Sequence, residues 1–180
     1  MPLPRPFATR TLVSGIALFG ALAVMTACNT TNHSYLMATL TLESKSASHV
    51  TGSMHFSERN GALKLSGTVR GLEPNSEHGF HIHEKGDCSA ADASSAGGHF
   101  NPGGSAHGRF DAAVHHAGDL PSLKADGSGV AKVDAVISGV TLDEGANSIK
   151  GRSLVVHGKA DDFTTQPSGN SGPRVACGVI

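Results

Sequence analysis

The strongest restriction on the fold of this chain comes from short runs in which apolar and polar residues alternate. In residues 36–42 the apolar side chains occupy every second position, the runs 63–69 and 131–137 repeat the pattern, and 154–156 is a short continuous apolar run. Successive side chains of a β-strand point to opposite faces, so this alternation predicts antiparallel strands with one face on a core. No segment sustains the period of a helix. We therefore predict an all-β sandwich or flattened barrel.

Glycine supports the same fold class, because 23 of the 180 residues are glycine, against a usual fraction of about 7%. Asn60-Gly61 is a tight-turn pair typical of a hairpin. Two stretches, 84–122 and 161–173, carry no strand pattern, and long ordered loops are usually functional. The chain has no Trp, one Tyr and a net charge of −1, which argues against a nucleic-acid partner.

The first residues have the features of an export signal. Arg5 and Arg10 precede an uncharged apolar run at 12–24, which is shorter than the ~20 residues of a membrane-spanning helix. The segment 24–28, Val-Met-Thr-Ala-Cys, is similar to the lipobox of bacterial lipoproteins, in which the cysteine becomes the acylated first residue. An ordinary cleaved signal that leaves an unused cysteine is the alternative. The predicted organisation is a signal peptide at 1–27, lipidation at Cys28, a polar tether at 28–35 and a folded domain at 36–180.

Export would place the chain in an oxidising compartment, the bacterial periplasm or cell envelope, where cysteines can pair. Cys88 and Cys177 can then form a disulfide. Closing a loop of about 90 residues restricts the unfolded chain by up to ~4–5 kcal/mol in the entropy model. Two free buried thiols are the alternative.

Histidine is the outlier of the composition. Of the 11 histidines, seven lie between positions 78 and 116, and imidazole is the commonest metal ligand in proteins. His81 and His83 are two positions apart on a strand-like run, so their rings face the same side and can converge on one ion. His157 stands at the end of the apolar run 154–156.

A second set of metal-ligating side chains lies in the Gly-rich stretch that follows. Such a stretch buries little apolar surface, so a bound metal would supply its order. Three imidazoles and one carboxylate give four ligands with no open position, which suits a structural zinc ion. The four residues are His99, His107, His116 and Asp119.

Several ordered segments together resemble the copper/zinc superoxide dismutase family, and the resemblance extends from about Leu36 to the end of the chain. The segments are GFHIHE at 79–84, GDC at 86–88, GGHFNP at 97–102, HAGD at 116–119, GRSLVVH at 151–157 and GNSGPRVACGVI at 169–180. The resemblance implies an immunoglobulin-like Greek-key β-sandwich of eight strands with two long functional loops.

The resemblance also implies the residues of a copper and zinc centre. Copper would be bound by His81, His83, His99 and His157, and zinc by His99, His107, His116 and Asp119. His99 would bridge both ions and carry a proton during catalysis. Arg174 would stand beside the copper channel, Asp161 would link one ligand ring of each metal, and Cys88 would pair with Cys177. His78 would be structural, and His115 is the alternative to His116.

The implied activity is the disproportionation of superoxide to dioxygen and hydrogen peroxide. An exported copper and zinc buffer on the same fold is the alternative, although a buffer does not need Arg174 or Asp161. A structural lipoprotein with incidental histidines is the third possibility. The expected partners are the superoxide substrate, a membrane contacted only through a lipid at Cys28, and a second copy of the chain in a homodimer.

Overall fold

The computed structural model describes residues 1–2 and 35–180, and this part of the chain is a β-structure without α-helices. The predicted signal peptide, Cys28 and residues 28–34 of the predicted tether lie outside the described residues. Nine strands and one 3₁₀ turn occur in the order β1 (Tyr35–Ser44), β2 (Thr51–Arg59), β3 (Ala62–Arg70), β4 (Glu77–His78), β5 (Phe80–His83), the 3₁₀ turn (Ser94–Ala96), β6 (Leu123–Lys124), β7 (Ala131–Ile137), β8 (Ser153–His157) and β9 (Arg174–Val179).

Seven strands form a curled antiparallel sheet in the order β5-β8-β9-β1-β2-β3-β7, and β4 and β6 form a small second sheet. The all-β prediction is therefore confirmed. Nine strands are present among the described residues instead of the eight expected, because Gly79 separates β4 from β5. A Cβ at Gly79 would lie 2.7 Å from Oγ of Ser171, so the backbone needs glycine to pass this close.

The alternating runs place their apolar faces in one core. Leu40 and Leu42 of β1, and Leu63 and Leu65 of β3, are buried, whereas the polar positions between them are exposed. Asn60 and Gly61 both have positive φ, at 55° and 76°, and form the predicted hairpin turn between β2 and β3. Strand β1 begins at Tyr35, one residue before the predicted domain start, because Tyr35 pairs with Arg59.

Two of the long connections between strands lie next to β5 and β8. We call residues 84–122, between β5 and β6, the first loop, and residues 158–173, between β8 and β9, the second loop. Both leave from strands of the β5-β8-β9 region, so both lie beside the histidines of β5 and β8. Within residues 1–2 and 35–180 no helix has the length and hydrophobicity of a membrane span.

Candidate metal centre

Two neighbouring strands and the first loop bring four histidines together, and we call these four residues the first group. His81 and His83 lie on β5, which pairs with β8 and therefore with the strand that ends at His157. His99, in the first loop, forms an isolated bridge with His83. The ligand atoms of His81, His83, His99 and His157 all lie within 4.8 Å of one another.

Several ring nitrogens of the first group lie close together and are available to bind a cation. Nε2 of His83 lies 3.4 Å from Nε2 of His157, while Nδ1 of His83 donates to the carbonyl oxygen of Gly97 at 2.9 Å. Nδ1 of His81 and Nε2 of His99 are buried and have no hydrogen-bond partner among the described residues. A buried nitrogen without a partner is costly, and a metal ion accepting these lone pairs removes that cost. The residues therefore fit a metal ion.

The second group shares His99 with the first and is built around one carboxylate oxygen. Oδ1 of Asp119 lies 2.9 Å from Nδ1 of His99, 3.1 Å from Nδ1 of His107 and 3.5 Å from Nδ1 of His116. All four ligand atoms fall within 4.8 Å of one another. Because the two nitrogens of the His99 ring face different groups, this ring connects the two sites.

Asp161, from the second loop, joins the groups through a second route. Its Oδ2 lies 2.7 Å from Nε2 of His81, and its Oδ1 lies 2.9 Å from Nε2 of His107. These contacts leave Nδ1 of each ring free to face its own group. A carboxylate placed in this way fixes ring orientation and increases the basicity of the ligand nitrogen.

The environment of the centre lowers the pKa values of several ligand residues, which favours the deprotonated forms that bind a cation. Burial and the nearby His99 hold the pKa of His81 and of His83 well below 6.5, and the same two causes lower the pKa of His157 to about 4. For Asp119 burial raises the pKa, but hydrogen bonds from His99 and from the backbone N–H of His116 outweigh it and lower the pKa to about 2. Neutral imidazoles and an ionised carboxylate are the forms that bind metals.

The lowered histidine pKa values predict that the metal-free protein loses stability in mild acid. A group whose folded pKa lies below its unfolded pKa contributes stability above the unfolded value, and this contribution is lost as the pH falls towards the folded value. Folding lowers the pKa of His157 from 6.5 to about 4. This residue alone should therefore reduce the free energy of unfolding by about 2 kcal/mol between pH 7.5 and pH 5. Urea unfolding of metal-free protein across this range measures the change, and a flat profile would contradict the prediction.

A cavity of about 380 Å³ opens onto the first group, and Arg174 is part of its lining. The half-buried guanidinium of Arg174 donates to the carbonyl oxygens of Ala93 and Gly97, each at 2.6 Å. The Gly97 oxygen is also the acceptor for His83. The lining residues are His83, Gly98, His99, Asn101, His116, His157, Pro167, Ser168, Gly172 and Arg174.

The disulfide between Cys88 and Cys177 is present, which confirms that pairing. It ties the first loop to β9, the strand that begins with Arg174. The carbonyl acceptors of Arg174 lie in the same loop, so the bond helps to hold the guanidinium beside the cavity.

Two histidines near the centre belong to neither group. His78 is buried between Oγ of Ser76 and the carbonyl oxygen of His157, and Nδ1 of His115 contacts the carbonyl oxygen of His116. The structure also shows supporting contacts that residue patterns did not predict. They involve the Gly97 carbonyl, Arg152, which stacks on Phe100 and donates to the Glu84 carbonyl, and Gln166, which contacts the backbone of His107. Their contacts run to backbone atoms or across loops, so residue spacing carries no signal for them.

Comparison with known proteins agrees with this geometry. The family model described as copper/zinc superoxide dismutase (SODC) matches residues 50–180. The Cu-Zn superoxide dismutase 2 of Aquifex aeolicus (strain VF5) is 42% identical over 135 residues, which cover 73% of this chain and 79% of that protein. The Cu-Zn superoxide dismutase of Cordyceps militaris is 42% identical over 139 residues, covering 73% of this chain and 89% of that protein.

A solved structure supports the same assignment. The crystal structure of a SOD-like protein from Bacillus subtilis aligns with a TM-score of 0.73 at 34% identity, covering 82% of this chain and 99% of that chain. The family match at 50–180 includes both ligand groups, Arg174 and the disulfide. On these grounds the chain belongs to the copper/zinc superoxide dismutase family.

Proposed function

We propose that this chain is a superoxide dismutase that converts two superoxide anions and two protons into one dioxygen and one hydrogen peroxide. The observation that carries the proposal is the sharing of one ring, His99, by two complete ligand groups. Family membership and the names of relatives that are Cu-Zn superoxide dismutases support the same activity.

The donor sets favour one metal for each group. Four imidazoles around an open cavity suit copper, whereas three imidazoles and one carboxylate form a closed set that suits zinc. Copper supplies the one-electron redox chemistry when bound, and zinc is redox-inert. We assign copper to His81, His83, His99 and His157, and zinc to His99, His107, His116 and Asp119.

The chain itself contributes proton handling and orientation. Nε2 of His99 faces the first group and has no other partner among the described residues, so it is the atom at which a proton is held between the two half-reactions. Asp161 fixes the orientation of the His81 and His107 rings through contacts with their Nε2 atoms, on the side of each ring away from its ligand group. Arg174 lines the cavity that opens onto the first group, so its positive charge stands where an anionic substrate would enter.

The direct test is superoxide consumption by the full chain loaded with both metals, with the metal content measured on the same sample. We expect rapid turnover and one copper and one zinc per chain. Two bound metals without turnover would instead select the metal-buffer alternative.

Replacement of Arg174 by isoleucine should lower kcat/KM about tenfold while leaving metal content intact. Without residues 1–27, which include Arg5 and Arg10, the net charge of the chain falls from −1 to −3. Two divalent ions and one imidazolate would bring it to 0, so the whole molecule would not attract an anion, and a local positive charge must do so. Local fields of this kind change association rates by about 10–10³-fold. Rates measured across a range of ionic strength should lose most of their salt dependence in the variant.

The matched control for this prediction is Arg70→Ile. Arg70 is an exposed arginine on β3 that is absent from the cavity lining, and its loss changes the net charge by the same amount. The control should keep the parent rate. An unchanged rate in Arg174→Ile would remove Arg174 from the mechanism.

The proposal includes export and lipid anchoring in the cell envelope. The basic start, the apolar run 12–24 and the lipobox-like segment at 24–28 support it, as does a disulfide, which persists in oxidising compartments. Replacement of Cys28 by serine should abolish incorporation of a labelled fatty acid and release the protein from membranes. Continued labelling of the variant would contradict the anchor.

Association of two copies is also part of the proposal. Tyr35 and Met37 on β1 and Val136 on β7 are exposed apolar residues of the main sheet, and apolar surface of this kind is available for a homodimer. Sedimentation equilibrium of the protein with and without Met37→Glu measures it, and equal masses at the monomer value would contradict it.

A further inference from the structure

The side-chain amide of Gln166 forms a closed pair of hydrogen bonds with the backbone of His107. The N–H of His107 donates to Oε1 of Gln166 at 2.8 Å, and Nε2 of Gln166 donates to the carbonyl oxygen of His107 at 3.0 Å. The two residues are 59 positions apart, one in each long loop. The amide thus acts as a two-bond bridge between the loops.

His107 is therefore held by the second loop at two places. Gln166 holds its backbone, while Asp161 holds its ring through Nε2 at 2.9 Å. The other ring nitrogen faces Asp119 in the second ligand group. Packing here is close, because a Cβ at Gly169 would lie 2.6 Å from Nε2 of His107.

The residues that follow Gln166 form part of the cavity wall. Pro167 and Ser168 line the same cavity as His83, His157 and Arg174. Gln166 thus stands between a ligand of the second group and the wall above the first group. The second-loop residues that line the cavity, Pro167, Ser168 and Gly172, are uncharged, so this loop contributes shape more than charge to the cavity.

We propose that Gln166 is a positioning residue that couples the second ligand group to the wall of the cavity over the first. A zinc ion held by His107 would fix that backbone, and the two amide hydrogen bonds would then order residues 164–168 and the cavity wall that they form. In the reverse direction, the second loop stabilises His107 in its ligating position. This inference rests on the proposed assignment of zinc to the His107 group.

The test measures zinc affinity and zinc-dependent order in the full chain. Gln166→Ala should raise the zinc dissociation constant about tenfold, the lower end of the effect of losing an outer partner of a metal ligand. Competition with a chromogenic zinc chelator measures this constant without copper. Hydrogen exchange should show that zinc protects peptides around 107 and 166 in the parent, but only those around 107 in the variant.

Two further variants sharpen the result. Gln166→Asn keeps an amide but shortens its reach, so it should behave as Gln166→Ala does. Thr164→Ala changes an exposed residue of the same loop whose side chain does not contact His107, and it should match the parent.

The outcomes separate this inference from the proposed function. Zinc binding in the parent with unchanged affinity and protection in both Gln166 variants would overturn the role of Gln166 alone. Absence of zinc binding in the parent would overturn the zinc assignment and the inference with it. Loss of cavity-wall protection in Thr164→Ala would also overturn it, because any change in the loop would then have the same effect.

Discussion

Replacement of His99 by alanine is expected to reduce superoxide consumption by at least ~100-fold. Loss of an outer partner of a metal ligand costs about 10–100-fold, and His99 is itself a member of both ligand groups. The variant removes Nε2 from the first group and Nδ1 from the second in one change. Each group would retain three ligands, so we expect weaker binding of both metals and no shared ring to hold a proton.

Metal content and kcat/KM measured on the same sample check this result. His115→Ala is the matched control, because His115 neighbours His116 in sequence, its ring belongs to neither ligand group, and its Nδ1 contacts only the backbone carbonyl oxygen of His116. The control should keep both metals and the parent rate. A His99→Ala protein that retained both the rate and the metals would refute the bridging assignment.

Zinc loading of the metal-free chain is expected to raise its thermal midpoint by about 8–16 °C. A ligand at 1,000 times its dissociation constant stabilises the folded state by about 4 kcal/mol, and each kcal/mol shifts the midpoint of a domain of this size by about 2–4 °C. The effect should be large because the first loop has only one 3₁₀ turn of regular structure and carries all four residues that we assign to zinc, His99 included.

Calorimetry with and without zinc, at fixed pH and in the presence of the disulfide, measures the shift. His107→Ala should lose most of it, since the second group would lose one ligand together with the ring contact to Asp161, while the backbone contacts to Gln166 remain possible. A shift of equal size in His107→Ala would place the stabilising zinc elsewhere in the chain. The His115→Ala protein again serves as the control.

The fold could be predicted where hydrophobic burial has a strict period. Every second side chain of a β-strand points to the same face, so alternating apolar residues predict which positions are buried. The structure buries these positions in β1 and β3, namely Leu40, Leu42, Leu63 and Leu65. The two-residue strands β4 and β6 could not be predicted, because two residues have no period. The interruption at Gly79 depends on contact with Ser171, which lies far away in the sequence.

The metal-ligating residues of the centre could be predicted from the sequence, because histidine and aspartate side chains are themselves the ligands. The histidine cluster and the motifs around it led to the residues that the structure brings into two groups. The Gly97 carbonyl, Arg152 and Gln166 were not foreseen, because their contacts depend on backbone direction and loop packing. Such supporting contacts become visible only when the chain is folded.

The Gly97 carbonyl accepts one hydrogen bond from His83 and one from Arg174, so both of its lone pairs are in use. Removing the arginine would leave His83 as the sole donor and strengthen that remaining bond. A stronger bond at Nδ1 would make Nε2 of His83 a better electron donor towards a metal ion bound there. A substitution at Arg174 would therefore act on the ligand nitrogen of His83 as well as on the charge at the cavity, through a single peptide oxygen.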